Sequence, residues 1–151
     1  MLIIGIDPGA SGGAAWYRNG VHHAMPFKNL TEAEMLELFE GIGRHSFAYL
    51  ENVHSMPGQG VASTFKFGMH FGGLRMALIA ASISFETVSP QKWQKAMGCM
   101  SGGDKKITRA KAQELFPTVH IVGSGDKMPT HAIADALLIA EYGRRVHGAG
   151  E

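Results

Sequence analysis

Residues 1–13 read MLIIGIDPGASGG, and the fold turns on the place of Asp7 within them. Leu2 to Ile6 form a short apolar run rich in branched residues, the pattern of a buried strand. That run ends on a carboxylate, followed by a small-residue turn. GAAWY at 13–17 and VHHAMPF at 21–27 come next, with Asn19-Gly20 between them as a two-residue hairpin signal. Three antiparallel strands are therefore predicted. Thr31 opens TEAEMLELFEGIG, where Thr31 and Glu34 have capping-box spacing and Met35, Leu38 and Phe39 form an apolar stripe, predicting a helix over 32–41. FAYLENV predicts a strand ending near Glu51. Beyond the turn-forming SMPGQG, the pattern predicts a helix over 60–82, a strand over 84–88 and a helix opened by Ser89-Pro90. A Gly-rich loop at 98–103, a helix over 105–115, a strand near 118–122 and a helix over 131–146 complete the chain. Three strands followed by alternating helices and strands predict an α/β mixed sheet flanked by helices. With 151 residues, a single domain over 1–151 is expected.

Composition narrows the function classes. The lone Cys99 forbids an internal disulfide and supplies no CxxC zinc pair, which fits a reducing compartment. The first apolar run is too short to span a bilayer and no basic segment precedes it, so a cytoplasmic protein without membrane insertion is expected. Net charge is only +1, but residues 66–127 carry nine Lys/Arg against four Asp/Glu, whereas residues 1–65 carry three against six. Such asymmetry suits a polyanion-facing surface beside a carboxylate-rich pocket.

Three carboxylates share one habit. Asp7 ends an apolar strand, Glu51 ends another, and Asp135 sits inside AIADALLIA among apolar neighbours. An ionised carboxylate buried without a partner costs several kcal/mol or more, so such groups find cations, hydrogen bonds or metals. Few Lys or Arg lie near them in sequence, and one divalent centre would satisfy all three. Structural ion pairs are the alternative. His131 lies four residues before Asp135 and so on the same helical face, where it can either ligate an ion or activate an attacking water. Oxygen ligands dominate, favouring magnesium or manganese over zinc. His22 and His23 are no rival metal site, because neighbours on a strand face opposite ways. Lys105, Lys106 and Arg109 fall at a helix start, where a phosphate partner would offset their conflict with the helix dipole. Gly68, Gly72 and Gly73 interrupt a helix otherwise rich in Phe67, Met69, Phe71 and Met76, which predicts close approach of another helix, from this chain or a second subunit.

IIGIDPGASGG, LENVHSMPG, VSPQKWQKAMG, DKKITRAKAQELFP and HAIADALLIAEYG resemble, in that order, the RuvC-type Holliday junction resolvases, particularly their phage-like branch. The resemblance covers nearly the whole chain. It implies an RNase H-like fold, a homodimer and metal-dependent cleavage of four-way DNA junctions, with two magnesium or manganese ions held by Asp7, Glu51 and Asp135 and the site completed by His131. Bacterial members usually space the last acidic pair three apart; here that place holds Ala132. The resemblance also implies DNA contacts at Lys105 and at His54, with Gln94 in the place of a second family lysine and Lys92 and Lys95 beside it; Lys106 and Arg109 join them from their place at the helix start, and the glycine-interrupted apolar helix predicts a dimer interface at Gly68, Gly72, Gly73 and Met76. Its setting would be the cytoplasm, a host's if the chain is phage-encoded. Three other readings remain at this point: an ATP-dependent kinase or chaperone, which needs a second lobe that 151 residues do not provide; a non-cleaving branched-DNA binding module; and a looser nuclease acting on flaps or forks.

Overall fold

A computed structural model describes residues 1–53, 57–125 and 127–148 of the chain. Strands β1 (Leu2–Asp7), β2 (Gly13–Arg18) and β3 (Val21–Pro26) form the predicted meander, and Asn19 and Gly20 both take positive φ at the hairpin tip. Helix α1 (Glu32–Ile42) carries the complete capping box, with Thr31 accepting from the Glu34 N–H and the Glu34 carboxylate accepting from the Thr31 N–H. Strand β4 (Ser46–Glu51), helix α2 (Val61–Ala80), strand β5 (Ser84–Val88) and helices α3 (Pro90–Met97) and α4 (Lys105–Leu115) follow the predicted order. Strand β6 is only His120–Ile121, shorter than the predicted 118–122, because the sheet-edge strand has just two partners on β3. Helix α5 (His131–Gly148) completes the fold.

The six strands lie in the order β5-β4-β1-β2-β3-β6. β2 is antiparallel to both β1 and β3, while β4 runs parallel to β1 and to β5. The mixed sheet and its leading antiparallel strands agree with the expectation from sequence. Each face carries its own core. Ile4, Ile6, Ala48 and Leu50 point to the face covered by α1 and α2, through Met35, Phe39, Leu74 and Leu78. Ile3 and Tyr49 point to the other, where α5 lies with Trp93 of α3 and Ala112 of α4. Glycine lets α5 approach so closely: a Cβ on Gly5 would stand 2.2 Å from the Ala136 carbonyl oxygen, and one on Gly143 2.5 Å from the Tyr49 ring.

The glycines of α2 behave differently. Nothing lies within 4 Å of a Cβ built at Gly68 or Gly72, and only the Met35 methyl approaches Gly73. Close packing of another helix of the same chain against Gly68 and Gly72 is thus ruled out among the described residues. Their side of α2 is open, and Phe65, Met69, Met76 and Ile79 along it are each more than half exposed.

Candidate active site

The pleat explains where the carboxylates go. Ile6 pairs with Leu50 across β1 and β4, so Asp7 and Glu51 are the next positions along two adjacent parallel strands. Side chains alternate along a strand, and Ile4 and Ile6 face α2, so Asp7 faces the α5 side, as does Glu51 beyond Leu50. Asp135 comes to meet them from the first turns of α5, four residues beyond His131. All three are buried, at 6%, 6% and 7% exposure. The run of apolar residues that ends in Asp7 is a central strand delivering a carboxylate to the sheet's C-terminal edge, where α/β folds place their chemistry.

Electrostatics record the crowding. Burial pushes the Asp7 carboxyl well above its ordinary value, and the neighbouring Glu51 and Asp135 charges push it further. Glu51 is raised to about 7, chiefly by burial. Two protein groups relieve part of this. Trp93, fully buried, donates its indole N–H to Glu51 Oε2 at 2.6 Å. Lys105 sets its Nζ 3.5 Å from Asp135 Oδ2, and the acids raise the Lys105 pKa against the opposing effect of burial. The other oxygen of Asp135, Oδ1, is buried with no hydrogen-bond partner. Glu51, Gln94, Ser101, Lys105, Thr108 and Asp135 line a cleft of about 150 Å³. A larger depression, about 560 Å³, lies at the opposite ends of β1, β4 and β5 beside Met1, Arg44 and His45 and contains no carboxylate.

Among the described residues, no three His, Cys, Asp or Glu side chains are drawn together as a group that could hold a metal ion; Glu51 and Asp135 turn one oxygen each toward Trp93 and Lys105. The donor set nevertheless fits a hard divalent cation, because it is all carboxylate oxygen, Asp135 Oδ1 is unpartnered, and Asp7 is buried beside two like charges.

No family model matches the sequence, and no curated protein does. Solved structures do. Thermus thermophilus RuvC superposes with a TM-score of 0.64 at 19% identity, over 99% of this chain and 97% of that one. The same organism's RuvC in complex with a Holliday junction substrate gives 0.65 at 17% identity, over 99% and 96%. The chain has the RuvC fold. The yeast mitochondrial Holliday junction resolvase Ydc2 is more distant, with a TM-score of 0.51 at 11% identity, over 97% of this chain and 80% of that one.

On this RuvC fold the described residues among the predicted DNA contacts lie on α3 and α4. Lys105 and Lys106 open α4, with Asp104 as its cap accepting from the Lys106 N–H, and Lys92 and Lys95 are exposed on α3. Arg109 lies one turn further along α4 with its Nη1 3.3 Å from His131 Nε2. A guanidinium has no acceptor, so Nε2 accepts. Gln94 Oε1 accepts from both the backbone N–H and the hydroxyl of Ser101, fastening the 98–103 loop beside Lys105. His54 lies outside the described residues. Helix α2 with Gly68, Gly72, Gly73 and Met76 lies over the other face of the sheet. His22 and His23 do point apart, His22 to Tyr17 and Phe116, and His23 to Trp16 and His120.

Two partners escaped the sequence reading. Trp93 stands 42 residues from Glu51, and the signal that could have found it is its own need for a buried acceptor. Lys105, read as a DNA contact, is also the cation of Asp135; counting cations near the acids in sequence could not reveal it. Among the described residues no helix is long and apolar enough to cross a membrane.

Proposed function

We propose that the protein is a divalent-metal-dependent endonuclease that cleaves four-way or otherwise branched DNA as a homodimer. The observation that supports this most is the convergence of buried Asp7, Glu51 and Asp135 at the C-terminal edge of a RuvC fold. The reaction is hydrolysis: water adds at phosphorus, the bond to the 3′ oxygen breaks, and a 5′-phosphate and a 3′-hydroxyl result. Bound magnesium or manganese supplies activation of that water and neutralisation of charge on phosphate and leaving oxygen. Asp7, Glu51 and Asp135 are the residues that would hold the ions. The Trp93 N–H fixes which Glu51 oxygen stays turned inward, and Lys105, largely exposed, can exchange Asp135 for a phosphate oxygen. His131, whose Nε2 accepts from Arg109, would serve as ligand or base only on giving up that bond. Lys92, Lys95 and Lys106 extend the cationic surface along α3 and α4. The open stripe Phe65, Met69, Gly72, Met76 and Ile79 recurs at alternating spacings of four and three, a seam that a second copy of α2 can cover about a two-fold axis. Paired subunits would supply one site for each of two opposed strands.

The deciding experiment is cleavage of four-way, three-way and flap DNAs side by side, with magnesium and with manganese, by the parent and by Asp7→Asn. Metal-dependent cutting of a branched substrate by the parent alone supports the reading. Preference for flaps over junctions would make it a looser branch nuclease, and binding without cutting a recognition module.

A further inference from the structure

The backbone that follows Asp7 is tied to α2 by one side chain. His70 Nδ1 accepts the Gly9 N–H at 3.0 Å, and its ring lies 5.2 Å from that of Phe27. The accepting nitrogen carries no proton, so the ring's hydrogen is on Nε2, and burial favours that neutral state by lowering the His70 pKa against the raising effect of Glu32. The turn being held is tight. Gly9 has φ +109°, a Cβ there would meet the Phe67 ring at 3.3 Å, and a Cβ on Gly12 would stand 2.0 Å from the Asp7 carbonyl oxygen. The Gly12 N–H donates to the Gly9 carbonyl and the Phe27 N–H to that of Gly12. Asp7 itself pairs with Gly13 across β1 and β2. The catalytic strand end is thus fixed on one side by the ladder and on the other by a turn clamped against α2.

We propose that His70 is a positioning residue for Asp7, holding the 8–12 turn through the Gly9 N–H so that the carboxylate stays aimed at the α5 side of the sheet. This rests on the nuclease reading for its consequence, but not for its geometry. A misplacement of a reacting group by about 1 Å can cost on the order of a hundredfold in rate, and a turn without its tether has that freedom.

Three variants test it. Oδ1 of asparagine hangs from Cγ as Nδ1 does in histidine, so His70→Asn keeps an acceptor in place; His70→Phe keeps ring packing on Phe27 but no acceptor; His70→Ala keeps neither. On saturating branched DNA, His70→Phe and His70→Ala are expected to lose at least about tenfold in kcat with DNA affinity unchanged, and His70→Asn to stay within about threefold of the parent. Amide exchange at Gly9 should accelerate in the Phe and Ala variants and stay slow in Asn, with the Asp7 carboxyl ¹³C shift moving in the same pair. Equal activity and equal exchange in the Asn and Phe variants would overturn the proposal and leave His70 a packing residue. If the parent cuts no branched DNA the nuclease reading fails, while the Gly9 exchange and Asp7 shift still decide the tether.

Discussion

Glu51→Gln should stabilise the metal-free protein at alkaline pH and abolish its cleavage. Folded, Glu51 holds its proton up to about pH 7; its ordinary value is 4.5. Between those limits the folded state binds more protons than the unfolded one, so stability falls as pH rises through the window. At about 1.4 kcal/mol per pH unit, the rise corresponds to an upper figure of about 3 kcal/mol carried in full above pH 7. Glutamine never ionises, and its amide oxygen can still accept from Trp93. Below pH 4.5 parent and variant should therefore be equally stable. By pH 8 in EDTA the variant should lead by up to about 3 kcal/mol, roughly 6–12 °C in Tm for a chain of this size. Urea unfolding followed by the fluorescence of buried Trp16 and Trp93 measures this directly. A lead of the same size at both pH values, or a variant weaker than the parent at pH 8, would refute the view that a buried, crowded charge is the source.

Asp7→Asn and Asp135→Asn should each abolish metal-dependent cutting while junction binding persists or tightens in gel-shift titrations, because repulsion of phosphate falls. Trp93→Phe removes the donor to Glu51 and should cost about 1.5–3 kcal/mol at pH 8, with a smaller loss at pH 4.5, read by the same unfolding assay. Replacing Lys105, Lys106 and Arg109 together by Ala should weaken DNA binding irrespective of sequence and make the salt slope shallower by about one unit per lost phosphate contact; an unchanged slope would make these charges bystanders. Gly72→Leu should yield monomers in sedimentation and end paired incision without touching the carboxylates.

Legibility in the sequence followed the range of the forces involved. Periodicity and turn chemistry are local, so β1 to β3, the capped α1 and the strand-end places of Asp7 and Glu51 could be read directly. Isolation of a carboxylate among apolar residues exposed Asp135 for the same reason. Partners joined only by folding were hidden: Trp93 on Glu51 and Lys105 on Asp135 cross 42 and 30 positions. Glycine misled by position. Gly68 and Gly72 looked like the sites of close approach by a helix, yet it is Gly5, in a strand interior, that a helix crosses closely, at Ala136 and Ala140. A glycine inside a strand signals a backbone passing overhead; on a helix it can equally leave a face bare. The shortened β6 reflects pairing at a sheet edge, which local preference for strand does not determine.

The pairing of β1 with α5 also bears on when this chain can act during its synthesis. Among the described strands Leu2–Asp7 is made before the others and lies in the middle of the sheet, but the helix laid over it, His131–Gly148, is made after all of them. A nascent chain that has reached Leu115 already carries Asp7, Glu51 and Lys105, yet Gly5 has nothing across it and the third acid does not exist. Contacts between the two ends of a sequence close late, because their loop entropy must be met before they stabilise anything. The chemistry proposed above is therefore withheld from any nascent chain that has not yet made His131–Gly148: a centre split between β1 and α5 cannot assemble before both are in place.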